Sequence, residues 1–551
     1  MSEERDPLEC FHEEIRTLLG GTEVRLIKAP EGKGDAAFAC FPLAKQEKKD
    51  PAAIATELAE RIMGKERKWV KECRSEGGYL NFFVDENCLA RAVFDGVESK
   101  LFGRGQKKKE KVLLEHTSAN PTGPLHVGRA RNPIIGDTLA RIMRFNGYDV
   151  TTEYYVDDAG MQVAMLAWGV KNCFEESREE KIDHRLVACY QQAAKLREEN
   201  PEVDREIREL LERYEEGETE AVQEMEETYK KVLDGIVKSL GDINVYIDSF
   251  VKESTFLRSG EVGRVIGLLK PYAQVKDGAL CIDLKPHPFF LTRSDGTTLY
   301  LTRDIAYHID KFRRCDIAIN ILGEDHKLES EQLAIALRLL KQRAPEVIFY
   351  AFISLPEGKM STRRKRVVYL DDLIDESIAR AKEEVLKRRS DLDDEKLGRI
   401  ARAVGIGAVR YNIIKVQASK PIKFRWEDAL NMEGNSAPFL QYSYARARSI
   451  LRKAGDLKKN VSVEIAEPEE RKLALRIAEL PQVVKGAAEQ RAPHLLAEYL
   501  LALASDFNVF YTQCPVLKTR VKEQRVALVD AFAYVMKSGL ELLGVEALEE
   551  M

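Results

Sequence analysis

A histidine and a glycine stand two residues apart in Gly123-Pro124-Leu125-His126-Val127-Gly128-Arg129, after an apolar run and at the opening of a helical pattern. Far downstream lies a second charged step, Lys359-Met360-Ser361-Thr362-Arg363. Each is short and common, and a loop histidine or a basic surface turn explains either one alone. Together, in this order, they fit a nucleotide-binding fold that grips ATP from two sides. A helix N-terminus offers a phosphate free N–H groups and a partial positive charge. His126, just before or at such a terminus, is placed to donate to a phosphate oxygen. Gly128 would let a flat adenine ring approach the backbone where a Cβ would block it. Arg129 adds a permanent cation whose planar fork matches phosphate. Lys359 to Arg366 reads as a cationic loop, able to stabilise charge building on a departing pyrophosphate more than it stabilises the ground state. The residues expected at ATP are Gly123, Pro124, His126, Gly128, Arg129, Lys359, Met360 and Ser361. His126, Arg129, Lys359 and Arg363 are expected in catalytic roles.

These residues need a scaffold. Val112 to Leu114 reads as a buried strand, followed by a polar loop and a helix that buries Ile135, Leu139, Ile142 and Met143. Asn146-Gly147 ends that helix with glycine just past its end, and Val150 to Val156 is the next strand. Strand, helix and strand within ~45 residues predict a right-handed βαβ unit of a parallel sheet. Ile317 to Leu322 and Val347 to Leu355 supply later buried strands, and a charged helical insertion is expected at about 165–285. The class is therefore α/β, with a Rossmann-like catalytic domain over 106–375. Before it, residues 1–105 read as a small α/β domain. Its strands are expected at Phe38 to Leu43 and Tyr79 to Val84, with a helix capped at Asp50-Pro51. Leu101 to Lys111, rich in Gly and Lys, reads as a linker. From 376 to 551 the pattern is almost purely helical, an all-α bundle.

Length and composition set limits. The 551 residues should hold roughly three or four domains. No run approaches ~18 apolar residues, so no membrane span is expected. Nine cysteines without a C-x-x-C pair argue against a zinc site or a disulfide framework, so no protein-bound metal is expected and a cytoplasmic location is. A formal net charge of −5 counsels against nucleic acid, yet basic residues cluster at Lys107-Lys108-Lys109, at Arg363 to Arg366 and around Arg446 to Lys453. A local basic track can bind phosphates on an acidic protein. A solvated helix face explains any single cluster equally well.

The two motifs resemble the signatures of class I aminoacyl-tRNA synthetases, and further stretches are similar to the arginyl-tRNA synthetase family within that class. These are Glu115-His116-Thr117-Ser118-Ala119-Asn120-Pro121, Asn132-Pro133-Ile134-Ile135-Gly136-Asp137, Tyr300-Leu301-Thr302-Arg303-Asp304 and Gln441-Tyr442-Ser443-Tyr444-Ala445-Arg446-Ala447-Arg448. The resemblance runs over essentially the whole chain. Two departures stand out. Arg129 replaces the usual second histidine of the first signature, and Thr362 replaces the usual second lysine of the second, leaving Arg363 or Arg364 to supply that charge.

The resemblance implies ATP-dependent attachment of arginine to its tRNA through an arginyl-adenylate, with Mg²⁺ on the phosphates. A guanidinium presents five N–H donors in a plane, so its pocket needs carboxylates and hydroxyls. Tyr300 and Asp304 are spaced to share a helix face, and the resemblance makes them guanidinium contacts with Glu115 close by. Without it, an ordinary helix pair explains them. Ser118, Asn120 and His126 correspond to contacts on the substrate's amino and carboxylate groups, and Asp325-His326 resembles another substrate-side position. Both ends of the chain would read tRNA(Arg), the N-terminal domain at the corner of the L and the bundle at the anticodon. Tyr444, Arg448, Phe510 and Tyr511 have stacking or cationic chemistry for exposed bases. A monomer is expected. Two alternatives remain: a non-catalytic tRNA-binding paralogue, and another nucleotidyltransferase of the same superfamily.

Arg129 carries a prediction. A guanidinium does not titrate between about pH 6 and pH 9, whereas histidine loses its charge near ~6.5. Arg129→His should therefore add a pH dependence to substrate activation that the parent lacks. Superimposable pH profiles of the two proteins would place Arg129 away from the phosphates.

Overall fold

The computed structural model describes residues 6–21, 24–30, 32–173, 181–283, 288–354, 368–455 and 461–551. The first unit comprises α1 (Pro7–Leu19), β1 (Ala36–Ala39), α2 (Phe41–Glu47), α3 (Pro51–Met63), β2 (Val70–Glu76), β3 (Tyr79–Val84) and α4 (Glu86–Glu98). Its antiparallel sheet has the order β1-β3-β2. Asp50 caps α3 by accepting from Ala53 N, and Ile54, Leu58 and Ile62 line the buried face. The strand expected from Phe38 to Leu43 stops at Ala39. Pro42 sits in the first turn of α2 instead, where its fixed φ suits a helix and its missing N–H is not needed. The expected linker is docked rather than loose. Phe102 is buried, Gly105 N donates to Phe145 O (2.9 Å) and Lys108 N donates to Gly147 O (2.8 Å).

The central sheet begins with β4 (Lys111–Glu115), followed by α5 (Arg131–Phe145) and β5 (Asp149–Val156). Four helices follow, α6 (Met161–Cys173), α7 (Ile182–Glu199), α8 (Pro201–Glu216) and α9 (Thr219–Asp242), and then β6 (Ser249–Lys252). β6 pairs parallel with β5, so the segment expected to be a helical insertion contains an edge strand of the main sheet. The periodicity hid it because four residues are too few to establish a period of two. Next come α10 (Glu253–Arg258), α11 (Glu261–Leu269) and a small antiparallel sheet of β7 (Gln274–Lys276), β8 (Ala279–Ile282) and β9 (Phe289–Phe290). The chain then returns through α12 (Tyr300–Arg314), β10 (Ile317–Gly323), α13 (Lys327–Leu339), β11 (Glu346–Tyr350) and β12 (Ile353–Ser354).

The five parallel strands are ordered β11-β10-β4-β5-β6. The chain runs outward from β4 to β6, then restarts on the other side at β10. The order therefore reverses between β4 and β10, and in open α/β sheets ligands bind beyond the strand ends at such a point. Two loops leave there, 116–126 after β4 and 324–326 after β10.

The rest is helical apart from β13 (Ile422–Lys423), which pairs with β12. Its helices are α14 (Leu370–Leu386), α15 (Asp394–Ile414), α16 (Trp426–Ala429), α17 (Ala437–Ala454), α18 (Pro468–Ala478), α19 (Leu480–Glu489), α20 (His494–Gln513) and α21 (Lys522–Leu542). Two buried arginines bind this part to α5. Arg131 donates to the carbonyls of Ala351 (2.7 Å), Lys420 (2.6 Å), Val416 (3.1 Å) and Gln417 (2.8 Å). Arg410 donates to Leu543 O (2.7 Å), Ile243 O (2.6 Å) and Asp137 Oδ2 (2.5 Å). Among the described residues no helix is long and apolar enough to cross a membrane.

Arg410→Met should lower the melting temperature by about 5 °C or more. It removes one of the two arginines on Asp137, leaving Arg141 (2.8 Å), and takes the donor from two carbonyls; each buried polar group left unpaired costs roughly 1–3 kcal/mol. An unchanged melting curve would show that these contacts are dispensable.

Candidate functional site

His126 precedes a single 3₁₀ turn, Val127–Arg129, and α5 starts only at Arg131. The residues expected at the phosphates therefore sit on a turn rather than at the N-terminus of the long helix. The exposed His126 ring caps this turn, its Nδ1 accepting from Gly128 N at 3.0 Å. A nitrogen that accepts carries no proton, so the neutral ring has its hydrogen on Nε2, the atom free to donate outward. Burial and the neighbouring Arg129 lower the His126 pKa, which favours this neutral donor. Gly128 also has a local reason. A Cβ there would lie 2.9 Å from His126 Nδ1, so the glycine makes room for the histidine ring. Arg129 is exposed, and among the described residues no carboxylate pairs with it. Lys359, Met360, Ser361 and Arg363, with Thr362 and Arg364, lie outside the described residues.

The loop after β4 bends sharply. Thr117 and Ser118 both take left-handed backbone angles, φ 72° and 38°, conformations that cost non-glycine residues on the order of 1–3 kcal/mol each. Asn132 on α5 holds them, its Oδ1 accepting from Thr117 N (2.7 Å) while its Nδ2 donates to Ile321 O (2.8 Å). His116 is buried beside Thr117 Oγ1 (2.9 Å), and burial pushes its pKa down to about 4, so it is a neutral packing residue. The bend aims Ser118 inward. Its Oγ donates to Glu115 Oε1 (2.9 Å) and accepts from Tyr155 N (3.1 Å), which leaves one lone pair for a ligand ammonium. Asn120 donates to Gln162 Oε1 at 2.9 Å and is otherwise open to solvent.

Glu115 and Glu153 are directly opposed on adjacent parallel strands. Side-by-side carboxylates require cations, and α12 brings both. The fully buried Lys311 ammonium pairs with Glu115 Oε2, and Arg314 pairs with Glu153 (2.6 Å). Glu115, expected close to the guanidinium, has both oxygens engaged within the protein and braces α12. Lys311 also donates to Asn320 Oδ1 (2.9 Å). An ammonium only donates, so Asn320 must turn its amide nitrogen to His308 Nε2 (2.8 Å). His308 Nδ1 then donates to the Asp304 backbone oxygen (2.8 Å). The same Nδ1 lies 3.4 Å from the Asp304 carboxylate, and among the described residues no lysine or arginine pairs with Asp304.

Tyr300 and Asp304 lie on α12 as expected, half-exposed at its start. The Tyr300 hydroxyl is 3.6 Å, and Asp157 Oδ1 3.1 Å, from where a Cβ on Gly160 would stand. Sequence reasoning missed Asp157, Glu253, Arg303 and Tyr155. Glu253 pairs with Arg303 (3.0 Å), and burial together with Asp157 raises its pKa well above the carboxylate range. Burial raises Asp157 as well, against a hydrogen bond with Glu253 and the charge of Arg303, which lower it. Asp157 Oδ1 and the Tyr155 hydroxyl are buried without a hydrogen-bond partner among the described residues. A cavity of about 130 Å³ opens beside them, between Gly160, Met161, Glu215, Tyr300 and Arg303. Asp325 and His326 follow β10 at the same edge, 3.8 Å apart and exposed.

At the far end, Tyr444 is only 2% exposed. It belongs to the core and cannot stack a base, which corrects the expectation, and Phe510 is buried likewise. Arg448 pairs with Glu549 at 3.2 Å. Tyr511 is exposed, and Arg446 lies between its ring (5.0 Å) and that of exposed Tyr442 (4.9 Å). Two positions along a helix turn about 200°, so Tyr442 and Tyr444 face opposite ways and the outward one was missed. Beside them is a cavity of about 550 Å³ lined by Arg388, Met432, Tyr442, Arg446, Asn508 and Met551.

Known proteins match this arrangement from end to end. Residues 96–426 match the family model described as tRNA synthetases class I (R), catalytic domain. Residues 9–84 match the arginyl tRNA synthetase N terminal domain, and 440–551 the DALR anticodon binding domain. The chain is 45% identical to the arginine–tRNA ligase of Methanocella arvoryzae, over 93% of this chain and 92% of that one. It is 41% identical to that of Archaeoglobus fulgidus, over 98% and 99%. The structure of Thermus thermophilus arginyl-tRNA synthetase superposes with a TM-score of 0.83 at 31% identity, covering 98% of this chain and all of that one. A parallel sheet reversing beside a His-x-Gly turn, an acidic pocket, and matches in all three regions have one meaning: the chain belongs to the arginyl-tRNA synthetase family of class I aminoacyl-tRNA synthetases.

Proposed function

We propose that this chain ligates arginine to tRNA(Arg) through an arginyl-adenylate, and the observation that carries the substrate choice is Asp304, a carboxylate at the mouth of an acidic pocket that meets a histidine but no lysine or arginine among the described residues. The guanidinium lies against Asp304, the Tyr300 hydroxyl and the Asp157–Glu253 pair. Ser118 and Asn120 meet the ammonium and carboxylate end. That carboxylate attacks the α-phosphorus of ATP, the bond to the bridging oxygen breaks, and pyrophosphate leaves. A ribose hydroxyl of the tRNA's terminal adenosine, the 2′-OH in this class, then takes the arginyl group and releases AMP.

The side chains position and stabilise rather than react. His126 Nε2–H and Arg129 face the phosphates from the β4 side, with Gly123, Pro124 and Gly128 shaping the turn. Lys359, Met360, Ser361 and Arg363 complete the ATP grip from the other side. Mg²⁺ arrives with the ATP phosphates as part of the substrate. Residues 1–105 read the tRNA corner, 106–375 activate arginine, and 376–551 read the anticodon through Tyr511, Arg448, and Arg446 with Tyr442. None of the nine cysteines is in a disulfide, in keeping with a cytoplasmic enzyme, and the working unit is a monomer.

Pyrophosphate exchange into ATP should depend on arginine when tRNA is present. No exchange under any condition would favour the non-catalytic alternative. Asp304→Asn keeps the shape and removes the charge. It should raise KM for arginine more than tenfold and leave KM for ATP unchanged, since a charge-assisted hydrogen bond contributes about 1.5–3 kcal/mol. Tyr300→Phe should cost less. A lower melting temperature with normal arginine binding would make the two residues a structural pair and move the pocket elsewhere.

A further inference from the structure

His126 is bracketed by contacts that its own turn does not supply. Leu370 N donates to Leu125 O (2.7 Å), and Val127 N donates to Val368 O (3.0 Å). His126 itself faces Tyr369 in an antiparallel bridge. The first residues of α14 therefore set where His126 stands. The second residue of α14, Asp371, is gripped in turn from the start of α7. His184 Nε2 lies 2.7 Å and Lys181 Nζ 2.8 Å from Asp371 Oδ2. The His184 ring also meets Tyr369 edge-on at 5.1 Å.

The same helix touches the chain on the other side of His126. A Cβ on Gly123, three residues before it, would lie 2.9 Å from Val187 Cγ2. His184 and Val187 are three positions apart and share a face of α7. That one face meets both chain segments flanking the histidine. Behind it, Lys181 ties the group to Ser239 of α9 and to buried Asp183 (3.2 Å).

Asp183, His184 and Asp371 converge closely enough to suit a metal, but the Lys181 ammonium already lies within 3.2 Å of both carboxylates. The cation of this cluster is built in, and two carboxylates beside one ammonium leave room for a second charge on His184. Burial alone would lower the His184 pKa, yet its bond to Asp371 and the charge of Asp183 raise it.

We propose that α7 positions His126 for adenylate formation, with Asp371, His184 and Lys181 fixing the start of α14 against the His126 turn. This rests on the reading of His126 as a phosphate donor. The three are positioning residues, acting on the reaction only through His126.

A double-mutant cycle tests it in the full-length enzyme, with arginine and tRNA(Arg) present. Single-turnover adenylate formation would be measured for Asp371→Asn, His126→Ala and the pair, alongside KM for arginine and the melting temperature. Asp371→Asn should slow adenylation about tenfold, in line with the cost of misplacing a catalytic group by a fraction of an ångström. KM for arginine should stay within about twofold. Added to His126→Ala, the same change should cost less than about twofold more, because the group it positions is gone. Losses that multiply in full would overturn the inference while leaving His126 at the phosphates. A wild-type rate in His126→Ala would remove the phosphate reading and the inference together. If Asp371→Asn does not fold, His184→Gln, which keeps an N–H donor without the charge, carries the same cycle with the same outcomes.

Discussion

Two carboxylates at the ends of neighbouring parallel strands, Glu115 and Glu153, cannot stand side by side in a buried setting without cations. That requirement fixes α12. Lys311 and Arg314 are three residues apart on one face of the helix, the spacing needed to meet both acids at once. Tyr307 supports them from the same face, its hydroxyl on Glu153 (2.8 Å) and its ring under the Lys311 ammonium (4.3 Å). With its C-terminal half locked, the helix delivers Tyr300 and Asp304 to the strand ends at the point where the sheet order reverses. The same pairing decides which acid remains unsatisfied. Glu115, Glu153 and Glu253 each have an internal lysine or arginine, and among the described residues Asp304 has only His308. Specificity for a cationic side chain follows from this uneven distribution of partners more than from the number of acids.

The other half of the site uses geometry more than charge. The Thr117–Ser118 bend is strained, and Asn132 holds it by tying α5 to the loop and to β10 at once. Arg131 and Arg410 anchor α5 in turn to the C-terminal helices through a series of carbonyl contacts. α5 is therefore a beam with the catalytic turn at one end and the helical region along its side. Its placement makes the distance between arginine pocket and phosphate turn a property of the whole fold. Burial shifts protonation consistently along this beam, leaving His116 neutral and favouring the neutral form of His126.

Much of this was legible in the sequence, for identifiable reasons. The βαβ unit, the capped α3 and the pairing of Tyr300 with Asp304 on one helix rest on local periodicity and cap chemistry, which short windows carry well. β6 escaped because four residues are too few to show alternation. The pairing of Glu115 was not legible because its partner Lys311 is 196 positions away, and no local pattern announces a pair formed through the sheet. Tyr444 and Tyr442 differ only in which face of α17 meets the core, a distinction set by packing against α21. Asp157 and Glu253 carry no motif, and only their shared burial marks them as part of the pocket.

On the proposed reading, one carboxylate without a lysine or arginine of its own selects a positively charged substrate head. Citrulline has nearly the shape of arginine but a neutral ureido group, so its affinity relative to arginine reads that charge directly. Calorimetric titration of the wild-type enzyme with each amino acid, in the presence of tRNA and a non-hydrolysable ATP analogue, makes the comparison. The account predicts that arginine binds at least about a hundredfold more tightly, as expected when a buried acceptor set loses its matching cation. Comparable affinities for the two would contradict it.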